Sequence, residues 1–279
     1  MSDVADVVTS PLLHTANVVV HDICCAGTCR GHSAEEATRR TRMVFAYRGV
    51  FVRHVGQDEA VAEANQVLFF NAGEGYRVSH PLAGGDCCLD LQIDEALLRE
   101  LTPPEYLRPG PVFAFRQQRL RIDARAQALV AQLRHSLQNG SAEPLEAESM
   151  ALMLARRALG SPTVHPPAAT ACRRRLVDRA KLVLASDLAR RWTLGEIAAE
   201  VGGSPVYLTQ VFKQVEGLPL YRYHLRLRLA RALHLLPKYD DLTALGLDLG
   251  FASHSHFTTA FRQVYGRSPS EFRQSVQRR

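Results

Sequence analysis

Two sets of side chains in this sequence have the types and spacing to do chemistry. The first gathers Cys24, Cys25, Cys29 and His32 near the start, then His80 and the adjacent pair Cys87-Cys88. Thiolate and imidazole together suit zinc or a softer thiophilic metal. Side chains alternate across a strand, so at most one cysteine of each adjacent pair faces a common site. The predicted ligand set is therefore Cys25, Cys29, His80 and Cys88, with Cys24, His32 and Cys87 as substitutes. Three readings of these residues stay open. They are small buried residues of strands, a metal site, or a thiol sensor of redox or electrophiles activated by Arg30, Arg39 and Arg40. Six cysteines in a chain without a secretory leader favour thiols or ligands over disulfides.

The second set lies on a repeat. One copy reads Leu194-x-x-Ile197-x-x-x-Val201-Gly202, then Ser204-x-x-x-Leu208-x-x-x-Phe212-Lys213-Gln214-Val215-x-Gly217. The other reads Leu242-x-x-Leu245-x-x-x-Leu249-Gly250, then Ser253-x-x-x-Phe257-x-x-x-Phe261-Arg262-Gln263-Val264-x-Gly266. The turn of the second copy is longer. Helical spacing turns Leu208, Val211, Phe212 and Val215 inward in copy one, and Phe257, Ala260, Phe261 and Val264 in copy two. Pro205, Val206, Thr209, Gln210 and Lys213 then face out, as do His254, Ser255, Thr258, Thr259 and Arg262. Donor and acceptor chemistry says what such faces read. Gln210 suits adenine, Arg262 suits guanine or phosphate, and Val206 can touch a thymine methyl. Ser255, Thr258 and Thr259 can bond bases or phosphates. Lys213 and Arg262 stand late in their helices, where phosphate contact is at least as favourable as base contact.

The elements that position these groups follow from punctuation and charge. Residues 1–170 carry 16 Arg and 19 Asp+Glu, a net −3, whereas 171–279 carry 18 Lys+Arg and 9 Asp+Glu, a net +9. The basic half is the repeat half, which fits a phosphate-binding module joined to one that does not bind nucleic acid. The segment 161–171 holds three prolines and no charge and is read as a linker between domains 1–160 and 172–279. Runs at 17–25, 42–55, 64–71, 76–80 and 87–93, broken by Gly and Pro, predict a small antiparallel β-barrel. A helical pair follows within about 119–159, free to pack on that barrel or on a second subunit.

In the basic half, Thr193-x-x-Glu196 is a capping box, Ser204-Pro205 and Ser268-Pro269 are helix starts, and Gly217 and Gly266 are helix ends. Between the copies, 218–236 predicts a long linker helix with Tyr221, Leu225, Leu229 and Leu233 on one face. Eighteen residues span about 27 Å, commensurate with a duplex turn of roughly 34 Å once flanking turns are added. The overall class is α+β, a barrel domain followed by an all-α domain with two helix-turn-helix units. No apolar run of roughly 18 residues occurs, so no membrane contact is expected. With no secretory leader in view, the expected compartment is the cytoplasm. No nucleophile–base or carboxylate pair stands out, so the chain is not expected to be an enzyme.

Residues 176–276 resemble the DNA-binding domain of the AraC/XylS transcription regulators. The most specific stretch is Gly246-Leu247-Asp248-Leu249-Gly250-Phe251-Ala252-Ser253-His254-Ser255-His256-Phe257, continuing through Phe261-Arg262, Tyr265-Gly266 and Ser268-Pro269. Ala244-Leu245-Gly246 departs from the family's small-residue pattern, and Gln210 stands where a basic residue is common. The resemblance implies a cupin-type sensor before the reader, and stretches such as Arg48–Arg53 and Gly84-Gly85-Asp86 are similar to one subset of such domains. It also implies promoter DNA and RNA polymerase as partners, a homodimer, and control by a small molecule or metal effector. A zinc-thiolate alkyl-transfer repair regulator and a cupin-type enzyme fused to a DNA reader are the alternatives.

Overall fold

Gly and Pro punctuation divides the start of the chain into short strands: β1 (Val7–His14), β2 (Val18–Cys25), β3 (Glu36–Ala37), β4 (Arg42–Arg48), β5 (Phe51–Val55), β6 (Asp58–Ala62), β7 (Gln66–Phe70), β8 (Gly75–Ser79) and β9 (Asp86–Ile93). Helix α1 (Glu95–Leu101), strand β10 (Arg119–Arg121) and helices α2 (Ala124–Gln138) and α3 (Pro144–Leu159) follow. The computed structural model describes residues 7–28, 31–160 and 170–277. The chain divides into two units, Met1–Pro162 and Thr163–Arg279. Most of the expected linker, 161–169, lies outside the described residues.

In the first unit all strand pairs are antiparallel. One sheet has the order β1-β2-β9-β4-β7-β10 and the other β3-β8-β5-β6. The pleat sorts side chains between two cores. Met43, Phe45 and Tyr47 of β4 and Cys87, Leu89 and Leu91 of β9 join Leu133, Ala151 and Leu154 of α2 and α3. Val44, Ala46, Leu68, Phe70 and Cys88 point the other way, toward Phe51, Ala60 and Tyr76 of the second sheet. The helical pair thus covers its own six-stranded sheet.

Several expectations change here. The run 42–55 is two strands, because the chain turns at Gly49. The helix expected from 119 begins at Ala124. Arg119–Arg121 pairs instead with Gln66–Leu68 at the edge of the sheet, and Asp123 caps the helix by accepting from the Ala126 N–H. Strands β1, β3 and β6 and helix α1 are additions: a proline falls inside β1, β3 has two residues, and β6 and α1 are short.

The second unit contains α4 (Ala171–Ser186), α5 (Leu194–Val201), α6 (Pro205–Glu216), α7 (Leu220–Leu235), α8 (Leu242–Asp248), α9 (His254–Tyr265) and α10 (Pro269–Gln277). The two copies of the repeat are α5–α6 and α8–α9. Helix α7 joins them and buries more than the expected face. Of the expected stripe, Leu229 and Leu233 are buried, Leu225 is half-buried and Tyr221 is 68% exposed, while Tyr223, His224, Leu227 and Ala230 are buried as well. A helix packed by more than one partner buries more than one stripe, so single-stripe periodicity captures only part of it.

Candidate nucleic-acid interface

Local chemistry sets both copies in the same way. In the capping box of α5, the Thr193 hydroxyl accepts from the Glu196 N–H and the Glu196 carboxylate accepts from the Thr193 N–H at 2.7 Å. Those bonds from Thr193, with Arg190 beside them, push the Glu196 carboxyl down to about 2. Ser204 caps α6 and Ser253 caps α9 in the same way, accepting from the N–H three residues on at 3.2 Å. Gly217 and Gly266 close these helices in the left-handed conformation. The residue that lengthens the second copy falls in its turn, where Phe251 is buried against Phe257.

Helices α6 and α9 bury the expected stripes: Leu208, Val211, Phe212 and Val215 in one, Phe257, Ala260 and Phe261 in the other, with Val264 half-buried. Pro205, Val206, Thr209, Gln210 and Lys213 are exposed, as are His254, Ser255, Thr259 and Arg262, and Thr258 is half-buried. Each set lies on the outer side of one helix. The hydroxyls are not all equivalent. Thr209 donates to the Pro205 carbonyl at 2.9 Å, so it faces outward as an acceptor. Thr258 shares a 3.3 Å hydrogen bond with His254. Sequence reasoning missed Tyr207, an aromatic ring on the first turn of α6 that is 45% exposed. An aromatic residue one place before the buried Leu208 is its only signal.

The two copies are fixed to each other by α7. The Arg228 guanidinium donates to the carbonyls of Leu188, Ala189 and Arg190, ahead of α5, and to that of Gly250, in the turn of the second copy. Gly250 has φ +79°, and a Cβ there would lie 2.1 Å from the Ala189 carbonyl oxygen. His224 donates to the Leu188 carbonyl through Nε2 at 3.1 Å. Burial, then Arg228 nearby, pushes this imidazole down to about 4, so it is neutral at physiological pH. The spacing between the two outward faces is therefore built into one helix and its bonds.

Different supports stand behind the copies. Lys181 of α4 and Glu216 of α6 form a fully buried ion pair at 2.5 Å, with Asp178 3.6 Å from the same ammonium. Behind copy two, Phe261 meets Phe272 of α10 at 6.1 Å and Tyr265 at 4.7 Å.

The cysteine set comes together only in part. Cys24 and Cys87 are directly opposite on β2 and β9, 4.1 Å apart at Cα, and form a disulfide. That corrects the expectation of thiols and removes both as substitute ligands. Sequence spacing does not reveal which strands are neighbours, so the facing pair was invisible. His32 lies against His54 in a tilted ring pair, centroids 4.1 Å apart, and Cys29 lies outside the described residues. Cys25 and His80 do converge, joined by Asp86, with candidate ligand atoms all within 4.8 Å. Cys88 adjoins this group and donates to Asp86 Oδ2 at 3.3 Å. Burial, then the Asp86 carboxylate, holds the Cys88 thiol well above its usual range. Asp86 was not expected; its signal is a carboxylate following the Gly84-Gly85 turn, at the head of a strand.

Comparison with known proteins bears on the C-terminal unit. A helix-turn-helix domain family matches residues 197–275. The transcriptional activator RhaR of Klebsiella pneumoniae is 32% identical over 158 residues, 54% of each chain. The activator RhaS of Escherichia fergusonii is 47% identical over 68 residues, 24% of each. The chain thus spans about half or less of the length of these curated relatives. An AraC-type DNA-binding transcriptional regulator from Chromobacterium violaceum is 30% identical, with a TM-score of 0.37, over 39% of this chain and all of that one. These relatives are transcription regulators, not enzymes. Residues 197–275 thus match a helix-turn-helix domain, and the capped helix pairs with exposed polar faces found there are similar to the DNA-binding part of these transcription regulators.

Proposed function

We propose that this chain is a sequence-specific transcription activator whose second unit reads two unlike DNA sub-sites in tandem. One observation carries the reading. The two copies bury matching stripes yet present different outer faces, in a unit of net charge +9 over residues 171–279. In copy one, Gln210 recognises adenine, Val206 a thymine methyl and Lys213 a phosphate. Pro205 and Thr209 complete that face, Thr209 accepting from a base amino group. In copy two, Ser255 and Thr259 bond base edges or phosphates, Arg262 reads guanine or holds phosphate, and His254 with Thr258 acts as a joined pair. Activation is inferred from the named relatives, both of them activators, and implies contact with RNA polymerase.

The first unit is the control element in this reading. Its two facing sheets are read as a cupin-type barrel, and a ligand that binds two arrangements of it unequally would shift DNA binding. A homodimer formed through the first unit would double the site. Leu145 and Met153 on the outer side of α3, 78% and 52% exposed, are the surface that favours it. The alkyl-transfer alternative loses support, since the disulfide takes Cys24 and Cys87 out of any four-thiolate zinc site.

A gel-shift titration with promoter DNA against excess nonspecific competitor tests the proposal. The expected result is a specific complex at least roughly a thousandfold tighter than nonspecific binding. Equal affinity for both DNAs would overturn it.

A further inference from the structure

The cluster behind the disulfide is unused by any DNA contact, and its composition is that of a metal site. We propose that Cys25, His80 and Asp86 bind one divalent cation of the zinc class. The proposal concerns the first unit alone and does not depend on the DNA reading.

Three separate segments deliver the donors. Cys25 ends β2, and Asp86 begins β9 directly opposite it in the ladder. His80 follows β8, which belongs to the other sheet. All three residues are more than nine-tenths buried, and their candidate ligand atoms lie within 4.8 Å of one another. Tetrahedral zinc with bonds of about 2.0–2.3 Å sets its ligand atoms roughly 3.3–3.8 Å apart, so small side-chain rotations suffice to close the site. One thiolate, one imidazole and one carboxylate suit zinc rather than calcium or magnesium, which take oxygen donors. On binding, the thiol proton of Cys25 is released to solvent and the cation takes its place.

A second observation points to a ligand. His80 donates from Nε2 to Asp86 Oδ1 at 2.7 Å, yet its Nδ1 is buried without a hydrogen-bond partner. A purely structural histidine in a dry site satisfies both nitrogens, because leaving one bare is costly. A cation at Nδ1 resolves this, with the Asp86 carboxylate orienting the ring through Nε2 before its free oxygen turns to join the ligand set. The surrounding backbone is also held close. A Cβ at Gly85 would lie 2.0 Å from the Cys25 carbonyl oxygen, so the turn before Asp86 is pressed onto the end of β2. On the reverse face of the same two strands, the Cys24–Cys87 disulfide locks the register that sets Cys25 against Asp86. The cation would therefore tie the two sheets together at one end, with Cys88 or water as fourth ligand.

Cobalt(II) titration of the metal-stripped protein, both units included, tests this. The expected result is saturation at one equivalent, with thiolate-to-cobalt charge transfer and tetrahedral d–d bands that zinc abolishes by displacement. Cys25→Ser should remove the charge-transfer band. His80→Gln should weaken binding roughly tenfold or more, and Cys172→Ser, a change in the other unit, should alter nothing. Far-UV circular dichroism of each variant establishes that it is folded. Competition of the unmutated protein with a chromophoric zinc chelator gives a readout that needs no variant. Failure to compete, absence of a thiolate band, or a band that persists in folded Cys25→Ser would each overturn the proposal. None of these readouts involves DNA.

Discussion

The two helix-turn-helix copies are alike in their inward stripes and their caps and unlike in what packs behind them and in the faces they turn outward. Copy one rests on a buried charge pair, Lys181 with Glu216. Copy two rests on aromatic edges, Phe261 against Phe272 and Tyr265. One repeat therefore tolerates two kinds of support, because the inward apolar stripe and the shared Ser and Gly caps specify the helix pair. The outer faces diverge in parallel, with an amide and an ammonium in one and hydroxyls, an imidazole and a guanidinium in the other. Divergence in support costs nothing in fold, and divergence on the surface gives two readers on one chain.

The largest effect should come from breaking the charge pair. Glu216→Ala leaves the Lys181 ammonium buried with its closest partner gone, at a cost of about 3–5 kcal/mol. Urea unfolding followed by Trp192, the chain's single tryptophan, measures it. Copy two has Tyr265 at the equivalent position, and Tyr265→Leu should cost much less. Similar losses at both positions would show that the supports are not different in kind.

Next comes a pH effect centred between the copies. The folded His224 imidazole is pushed from 6.5 down to about 4 by burial and Arg228. Between those values the unfolded chain binds a proton that the folded chain refuses. Stability is therefore full above pH 6.5 and falls as pH drops toward 4, by at most about 3 kcal/mol. His224→Gln preserves donation to the Leu188 carbonyl and should flatten that slope. An unchanged slope would remove His224 from the account.

Arg228→Met should cost about 2 kcal/mol, since it leaves carbonyls on both copies without their charged donor. Its distinctive result is a loss of DNA affinity exceeding the loss of either copy's own contacts, because the spacing between them loosens. Smaller still, Lys213→Ala should weaken binding evenly across sequences and reduce the salt slope by about 1. A sequence-dependent effect would make Lys213 a base reader instead.

How much of this was visible beforehand follows from physics that is local or not. The caps at Thr193, Ser204 and Ser268 and the stripes of α6 and α9 depend on residues three or four apart, so the sequence shows them directly. The opposite facing of Cys87 and Cys88 follows from the pleat. The disulfide, the role of Asp86 and the reach of Arg228 to Gly250 depend on which strands and turns become neighbours, which no local pattern encodes. The buried face of α7 is legible at Leu229 and Leu233 but not at Tyr223 or Leu227, because more than one stripe of that helix is covered. Asp86 matters most among these, as it stands between His80 and Cys88 in the buried cluster.

The central claim is that one chain reads two unlike sub-sites, and selection from randomised duplex DNA tests it most directly. The protein with both units should enrich an asymmetric site of two different blocks about 10 base pairs apart, centre to centre. Gln210→Ala should relax preference in one block and Arg262→Ala in the other, each by about 1–3 kcal/mol at the affected base pair. Two identical blocks, relaxation of the same block by both variants, or no enrichment over nonspecific DNA would contradict the account.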